Sequence, residues 1–263
     1  MPPSPGYTSR QLIFDDQFSG TSLDTTKWNT YLGAQGIVWN NMGSLPMPYS
    51  GPNVPGNGTE AAMFGPSQVS VDNGLTLTAQ RNANQWAGTY PWLSGVVTTE
   101  GKFSLPATGS WYVQVKAQMP DTSQGMWPAI WFLPGAFGTP FNEIDLHEGG
   151  ATGGPSINEA GHSNYFADDG SAIGSFWNAG VDLSAGYHVY GIQFVAGQSC
   201  TFYFDGNQVF QVLAGSGHPL SGEPYEIILE LEVAGQQAAG WHTVATGATP
   251  PASMHVAEVQ AYS

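Results

Sequence analysis

The amino-acid sequence predicts an all-β fold in which two antiparallel sheets pack face to face as a sandwich. Three observations lead to this prediction. Strand-like runs recur along the 263 residues with turn residues between them, and segments with helical periodicity are nearly absent. Glycine (35 residues) and proline (19 residues) are abundant, as expected where many short strands are joined by turns. All-β domains often reach this length, so we predict a single domain over residues 1–263.

The predicted strands are runs rich in β-branched or aromatic residues and bounded by turn residues. They cover residues 75–80, 94–105, 111–119, 127–134, 142–148, 187–195, 200–206, 207–213, 224–233 and 254–262. Residues 31–70, which contain "WNNMGSLPMPYSGPNVPGNG", are interpreted as a long ordered surface loop. Loops of this length are commonly functional.

The charge balance excludes several classes of partner. The formal net charge is −15, and the only basic residues are Arg10, Lys27, Arg81, Lys102 and Lys116. Such a chain repels phosphate backbones and anionic lipid, so we expect neither nucleic acid nor a membrane as a partner. Sulfated and carboxylated polymers are disfavoured for the same reason, whereas a neutral substrate is compatible with this composition.

Cysteine usage and hydropathy give the remaining constraints on protein class. Cys200 is the only cysteine, which excludes a disulfide within the chain and a thiolate metal cluster. It lies in "QSCTFYF" and is interpreted as a small buried residue. No run approaches the roughly 18 apolar residues of a membrane helix. The first residues, "MPPSPGYTSR", do not resemble a signal peptide, and we expect a secreted protein whose signal has been removed.

Three carboxylates lie within six residues of the stretch "FNEIDLHEGG": Glu143, Asp145 and Glu148. Aliphatic residues alternate with the first two, so Glu143 and Asp145 share one face of a strand, and Glu148 would point to the other face. A β-bulge between Asp145 and Glu148 would return Glu148 to the face of Glu143. A retaining glycosidase needs two such carboxyls about 5 to 5.5 Å apart, one as nucleophile and one as acid and then base. Asp145 can share a proton with Glu143. Sharing separates the pKa values of the two carboxyls, so that one is ionised while the other is protonated.

Two tryptophans upstream strengthen the catalytic interpretation of the acids. Trp127 and Trp131 share one strand face with Ala129, and indole rings stack on the apolar faces of sugar rings. These residues alone leave two alternatives to a catalytic cleft open. The acids could form a solvated strand edge, and the tryptophans could be ordinary core residues.

The runs "SGVVTTEGKFSL", "GMWPAIWFLPG" and "NEIDLHE" together resemble the signature region of glycoside hydrolase family 16, the laminarinase and lichenase family. The resemblance continues through residues 12–29, 187–210, 224–235 and 251–262. It implies a concanavalin-like β-jelly roll with a substrate cleft across the concave sheet. It also implies retaining endo-hydrolysis of β-1,3 or β-1,4 bonds in glucans or galactans. The spacing E-x-D-x-x-E resembles the laminarinase-like branch, since the lichenase branch lacks the bulge.

The resemblance assigns a role to each matched position. Glu143 matches the nucleophile, Asp145 the assisting acid and Glu148 the general acid/base. Trp127 and Trp131 match the tryptophans that bind substrate beside the scissile bond.

Two histidines, His162 and His188, receive different interpretations. His162, in "AGHSNYF", falls near a cleft histidine of the family. It is interpreted either as a substrate-binding residue or as a structural, hydrogen-bonded histidine. His188 is assigned to the strand framework.

The chain also departs from the family pattern. Glu230 stands where members often carry Asn, and Glu232 follows on the same strand face. If that face lines the cleft, both acids raise neighbouring carboxyl pKa values and Glu230 becomes a substrate-binding candidate; if it is solvated, neither bears on catalysis. Ala257 replaces a frequent Asp, a possible calcium ligand, so no metal site is predicted. His147 is either the bulged residue itself or a neighbour that tunes Glu148.

We therefore predict a secreted, monomeric endo-β-glucanase that cleaves β-1,3 or mixed β-1,3/1,4-glucan by double displacement. Its partner is a neutral polysaccharide or oligosaccharide, and it needs no cofactor. A galactan or agar-type hydrolase, or a transglycosylase, is an alternative on the same scaffold, because these enzymes differ in loops such as 31–70. A non-catalytic, lectin-like domain is a further alternative. The acids argue against it, since binding alone does not require three clustered carboxylates.

Overall fold

The computed structural model describes residues 10–30, 59–82, 91–134, 142–154, 158–167 and 169–263. Within these ranges the regular structure is almost entirely β-strand, with 3-10 turns at Pro66–Gln68 and Gln236–Ala238. No helix in the described ranges is long and apolar enough to cross a membrane.

The strands are numbered in chain order. They are β1 (Leu12–Asp16), β2 (Ala62–Phe64), β3 (Val69–Val71), β4 (Leu75–Arg81), β5 (Trp92–Ser94), β6 (Val96–Thr98), β7 (Ser110–Gln118), β8 (Met126–Pro134), β9 (Glu143–Glu148), β10 (Ala160–Phe166), β11 (Ala172–Asn178), β12 (His188–Val195), β13 (Ser199–Phe204), β14 (Asn207–Leu213), β15 (Tyr225–Val233) and β16 (Ala252–Tyr262).

These strands form two sheets. The large sheet has the order β14-β13-β12-β7-β16-β4-β5-β2, with β1 paired to β16 and β3 paired to β4. The small sheet has the order β11-β10-β9-β8-β15-β6. The pairings of the described strands are antiparallel apart from the parallel pair β2 and β5. The predicted two-sheet sandwich is confirmed, with this one parallel pair as an exception.

The core lies between the two sheets and follows from strand alternation. In β7, Trp111, Val113, Val115 and Ala117 are alternate residues, and each is almost completely buried. Trp111 stacks on Phe194 of β12 with 5.3 Å between ring centroids. Burying a side chain of this size stabilises the fold by about 1.5–3 kcal/mol. Because the core covers the inner face of the small sheet, its outer face is free to form a cleft.

A two-residue hairpin turn joins β13 to β14. Asp205 and Gly206 both have positive φ (46° and 80°), the conformation of a type I′ turn, which favours Asp-Gly. The Asp205 carboxylate accepts the backbone N–H of Val189 at 2.8 Å and lies 2.8 Å from Nδ1 of His188. His188 therefore belongs to the strand framework, as predicted.

Six strands were not predicted from the sequence: β1, β2, β3, β5, β10 and β11. Most of these are short, and β10 and β11 ("AGHSNYF" and "AIGSFWN") are rich in Gly, Ala, Ser and Asn, which have low strand propensity. Pairing with β9 stabilises β10, and β11 then pairs with β10. Tertiary pairing thus overrides local propensity at this edge of the sheet.

Two predicted segments differ from the structure. The run 94–105 contributes only Val96–Thr98 as a strand, with Ser94 ending the strand before it. Residues 59–70 contain β2, a 3-10 turn and the start of β3, so the loop interpretation is wrong for them. Residues 31–58, the remainder of that predicted loop, lie outside the described residues.

Candidate active site

Strand β9 carries the three predicted acids between β8 and β10 of the small sheet. Its register against β8 shifts at one point. Ile130 pairs with His147 and the next residue, Trp131, pairs with Asp145, so Leu146 has no partner of its own. An unpaired extra residue in one strand of an antiparallel pair is the definition of a β-bulge.

The bulge decides which face each β9 side chain occupies. Leu146 and His147 are neighbours in sequence, yet both are buried on the core side. Glu148 consequently returns to the cleft face, where it joins Glu143 and Asp145. The structure thus contains the bulge that the spacing required. Glu143, Asp145 and Glu148 are called the β9 acids below.

The β9 acids line one cavity of about 500 Å³, its open mouth included. Its other lining residues are Glu60, Trp127, Ala129, Trp131, Glu230 and Glu232. Both predicted tryptophans therefore face the cleft. Trp127 is half-buried, while Trp131 is 5% exposed and forms part of the cavity wall. The alternative of a solvated strand edge is wrong. The core interpretation is wrong for Trp127 and holds in part for Trp131, which lines the cavity and also packs in a buried cluster with Ala129 and Ile228.

Three side chains hold the Glu148 carboxylate. The Trp127 indole N–H donates to Oε1 at 3.1 Å, and the Asn164 amide donates to Oε2 at 2.5 Å. His162 Nδ1 lies 3.4 Å from Oε2, and the His162 ring stacks on Phe176 at 4.3 Å between centroids. These contacts fix the carboxylate on the cleft face, because charge-assisted hydrogen bonds are strong and directional.

Glu143 and Asp145 form a coupled pair. Burial raises the pKa of Glu143 to about 8, the charge of Glu148 adds to this, and a hydrogen bond with Asp145 acts in the opposite direction. Burial raises the pKa of Asp145 well above its usual range, and the charges of Glu143 and Glu148 raise it further. A proton shared by this pair is therefore favoured on Asp145, which leaves the negative charge on Glu143.

Three further acids share the cavity. Glu230 is 4% exposed and Glu232 is 2% exposed, both on the cleft face of β15, and Glu60 lies beside them. The alternative that this face of β15 is solvated is therefore wrong. Burial raises the pKa of Glu230 and of Glu232 well above the usual range, and it raises the pKa of Glu60 to about 8. Glu60, Glu230 and Glu232 are called the acid pocket below.

His147 is part of the core and does not contact the cleft. Its ring lies 4.9 Å from that of Tyr190 and 5.8 Å from that of Trp177. Burial lowers its pKa to about 3, so it is neutral. Both His147 and Leu146 form the bulge, but His147 does not tune Glu148 through a contact.

Sequence reasoning missed Asn164, Trp241 and His242 near Glu148. His242 packs on the Trp127 ring (4.7 Å between centroids), and its nitrogens lie 2.8 Å and 2.9 Å from the carbonyls of Thr243 and Gly149. Trp241 is 46% exposed and meets Trp127 edge to face at 5.1 Å. Trp241 follows "GQQAAG", whose composition indicates a loop but gives no signal for a cleft residue. For Asn164, the signal available was its place two residues after His162 on one strand face.

No group of three or more His, Cys, Asp or Glu side chains in the described ranges is arranged to hold a metal ion.

Solved structures with this fold include glucanases. The laminarinase catalytic domain of Thermotoga maritima MSB8 has a TM-score of 0.72 at 22% identity, covering 96% of this chain and 98% of that one. The endo-beta-1,3-glucanase of Pyrococcus furiosus has a TM-score of 0.71 at 25% identity, covering 97% of this chain and 94% of that one. The predicted concanavalin-like jelly roll is thereby confirmed.

Curated relatives have related names. The glucan endo-1,3-beta-glucosidase A1 of Niallia circulans is 26% identical over 99% of this chain and 39% of its own length. The endo-1,3-1,4-beta-glycanase EglC of Rhizobium meliloti (strain 1021) is 31% identical over 73% of this chain and 39% of its own length. The chain thus spans about two fifths of the length of these two relatives.

The family model described as "Glycosyl hydrolases family 16" matches residues 58–247, which include the β9 acids, both cleft tryptophans and β15. The match covers well over half of the chain. The chain belongs to glycosyl hydrolase family 16.

Proposed function

We propose that this protein is a retaining endo-glycosidase that hydrolyses β-1,3 or mixed β-1,3/1,4-glucans. The observation that carries the proposal is the bulge in β9, because it brings the three β9 acids to one cleft face beside Trp127 and Trp131. Family membership and the names of the relatives support a glucan as the substrate class.

In the first step, the Glu143 carboxylate attacks the anomeric carbon and forms a glycosyl-enzyme ester. The bond from that carbon to the glycosidic oxygen breaks, and Glu148 transfers its proton to the departing oxygen. Asp145 retains the shared proton and donates a hydrogen bond to Glu143, which favours the ionised form of Glu143 before attack.

In the second step, Glu148, now a carboxylate, removes a proton from water. The resulting hydroxide attacks the anomeric carbon from the side that the leaving group vacated, and Glu143 is released. The two displacements together retain the β configuration. Asn164 and Trp127 keep Glu148 oriented in both of its roles.

We assign substrate contacts to Trp127, Trp131, His162 and Glu230. The first two present indole faces or edges to the cavity, and His162 lies against the Glu148 carboxylate. Glu230 lines the same cavity two strands away from Glu148. A polysaccharide cannot cross a membrane unaided, so we also propose that the protein acts outside the cell, as a monomer.

The experiment that tests the proposal is reducing-sugar release from laminarin, barley β-glucan, agarose and galactan in one panel. Release from laminarin or barley β-glucan is expected, and Glu143→Gln should release none. The control Glu223→Gln, an acid outside the cavity, should retain the wild-type rate. Release from agarose or galactan alone would replace the glucan assignment with a galactan one, and no release from any polymer would contradict both.

A further inference from the structure

His242 is a buried histidine beside the cleft that the proposed double displacement does not use. It is 3% exposed and lies in the segment that connects β15 to β16. Backbone contacts tie this segment to the residues directly after β9. The N–H of Thr243 donates to the Gly150 carbonyl at 3.0 Å, and His242 forms a β-bridge with Ala151. The His242 ring is therefore held next to the end of β9 that carries Glu148.

Both nitrogens of the His242 ring face backbone carbonyls. Nε2 lies 2.9 Å from the carbonyl of Gly149 in a buried contact, and Nδ1 lies 2.8 Å from the carbonyl of Thr243 in a partly buried one. A carbonyl oxygen can only accept, so the single N–H of a neutral imidazole binds one of the two. An unpaired carbonyl costs more where it is buried, so the proton is favoured on Nε2. His242 thus anchors the main chain at the residue after Glu148.

The two glycines that follow Glu148 allow this close approach. Gly150 has a φ of +86°, and a Cβ atom placed there would lie 2.4 Å from Cε1 of His242, so a side chain at this position would clash with the ring. The N–H of Gly149 donates to the Pro128 carbonyl of β8 at 2.9 Å. Gly149 is therefore fixed by β8 on one side and by the His242 ring on the other.

The same ring supports the Trp127 side chain. The centroids of the two rings are 4.7 Å apart and their planes are inclined by 36°. The Trp127 indole N–H donates to Oε1 of Glu148 at 3.1 Å. Trp241 also meets Trp127, but edge to face and from a position that is 46% exposed. His242 is thus a buried support for the indole that holds the Glu148 carboxylate.

We propose that His242 is a positioning residue for proton transfer by Glu148, acting through Trp127 and Gly149 without touching the substrate. This inference rests on the proposed role of Glu148 as acid and base. Glu148 first gives a proton to the glycosidic oxygen and later takes one from water, so its carboxyl must keep its orientation through both steps. A displacement of about 1 Å can slow such a step about a hundredfold.

A purely structural role for His242 makes a different prediction. If the ring only fastens the segment between β15 and β16 to the residues after β9, its loss weakens folding and slows the hydrolysis of all substrates alike. If the ring positions Glu148, its loss slows the substrates whose leaving group needs a proton. Substrates with an activated aryl leaving group are then spared, because this group departs with little help from an acid.

The test measures kcat/KM of His242→Phe and His242→Gln on a laminari-oligosaccharide and on the dinitrophenyl glycoside of laminaribiose. This parameter reports the first displacement, in which Glu148 acts as the acid. Phe keeps a ring beside Trp127 and removes the N–H, whereas Gln keeps an N–H donor and removes the ring. In each variant, kcat/KM should fall about tenfold to a hundredfold on the oligosaccharide and change less than about threefold on the aryl glycoside.

The control is His255→Phe, which changes a half-buried histidine of β16 in the large sheet, 3.0 Å from Oγ1 of Thr76. It should leave both kcat/KM values unchanged, and circular dichroism checks that the three variants are folded. The inference is overturned if the two substrates lose equally in the His242 variants. It is also overturned if the ratio of the two kcat/KM values stays within about threefold of wild type in either variant.

A second measurement does not depend on hydrolysis. In wild type the indole N–H resonance of Trp127 should move as Glu148 titrates, since the indole donates to this carboxyl, and the movement should be absent from Glu148→Gln. It should be lost in both His242 variants and kept in His255→Phe. A movement that persists in the His242 variants would overturn the inference and leave the glucanase proposal standing. Its loss in a protein that hydrolyses no glucan would leave the inference standing and remove the glucan assignment.

Discussion

The cleft holds two groups of acids, which differ in whether their carboxyl oxygens have hydrogen-bond partners. The β9 acids have partners: Glu148 accepts hydrogen bonds from Trp127 and Asn164, and Glu143 is hydrogen-bonded to Asp145. Each member of the acid pocket keeps one buried oxygen without a partner among the described residues. The difference indicates that hydrogen-bond partners hold the β9 acids in place, whereas the carboxyls of the acid pocket are buried mainly in their neutral form, because burial raises their pKa.

The largest effect is expected at the nucleophile. Glu143→Gln removes the attacking carboxylate, so kcat/KM on laminarin should fall by a factor on the order of 10⁴ or more, because covalent catalysis is lost. Oligosaccharide binding and the thermal melting profile should remain. The measurement is steady-state hydrolysis by wild type and variant, with Glu223→Gln as the matched control. Activity within about tenfold of wild type would remove Glu143 from the role of nucleophile.

The second effect separates Glu148 from Glu143. Glu148→Ala should lose about 10²–10⁴-fold on polysaccharide, since a sugar leaving group needs a proton, yet retain the first step on an activated aryl glycoside. Azide should restore turnover of the aryl substrate and yield the β-glycosyl azide.

The same additive distinguishes the two roles. With Glu143→Ala, azide should give the α-glycosyl azide if it rescues at all, because it then attacks the substrate directly. A β product from Glu143→Ala, together with an unrescued Glu148→Ala, would mean that the two assignments are exchanged.

A smaller effect tests the partners of the β9 acids. Asn164→Ala removes the amide that donates to Glu148 and hydrogen-bonds Asp145. We expect kcat to fall about tenfold to a hundredfold with little change in KM, because the carboxylates lose orientation while the sugar contacts remain. The control is Asn207→Ala, which removes an exposed amide on β14. An Asn164→Ala enzyme with unchanged kcat would show that the amide has no positioning role.

The smallest effect concerns stability and pH. Burial raises the pKa of Glu60 to about 8, against a value near 4.5 in the unfolded chain, and burial raises the pKa of Glu230 and Glu232 as well. Between about pH 4.5 and pH 8 the folded protein binds more protons than the unfolded chain. The free energy of unfolding therefore falls as pH rises through this range. The contribution that the protonated Glu60 carboxyl makes to the free energy of unfolding is complete below about pH 4.5 and is lost as pH approaches about 8.

We therefore expect Tm to fall by several degrees between pH 5 and pH 8, at about 2–4 °C per kcal/mol. Thermal melts at constant ionic strength measure this. Glu232→Gln should flatten the dependence because an amide does not titrate, and Glu223→Gln should not. A Tm that is constant or rises over this range would contradict the burial of ionisable carboxyls in the acid pocket.

The sequence predicted the two-sheet sandwich and the β9 acids because both depend on local pattern. Alternation identifies β7 and β8, and the spacing of Glu143, Asp145 and Glu148 requires a bulge if the three are to meet. The structure supplied the residue that the bulge leaves unpaired, Leu146, and the core position of His147.

Other features could not be predicted for physical reasons. In β15 acids alternate with aliphatic residues, which is typical of a half-solvated strand, yet every one of its residues is buried. Only the pairing of β15 with β8 reveals that its acidic face lines the cleft. Asn164 and Trp241 lie in segments of weak propensity, and their nearness to Glu148 depends on long-range pairing.

The measurement that tests the central claim most directly is the anomeric configuration of the first product. Proton NMR of the reducing end, recorded in the first minutes of laminari-oligosaccharide hydrolysis, resolves the α and β anomers before mutarotation equilibrates them. Glu143 and Glu148 on one face of β9, acting by two displacements, predict that the β anomer appears first. An α anomer appearing first would require a single displacement by water between more distant carboxyls, and it would contradict the role assigned to the bulge.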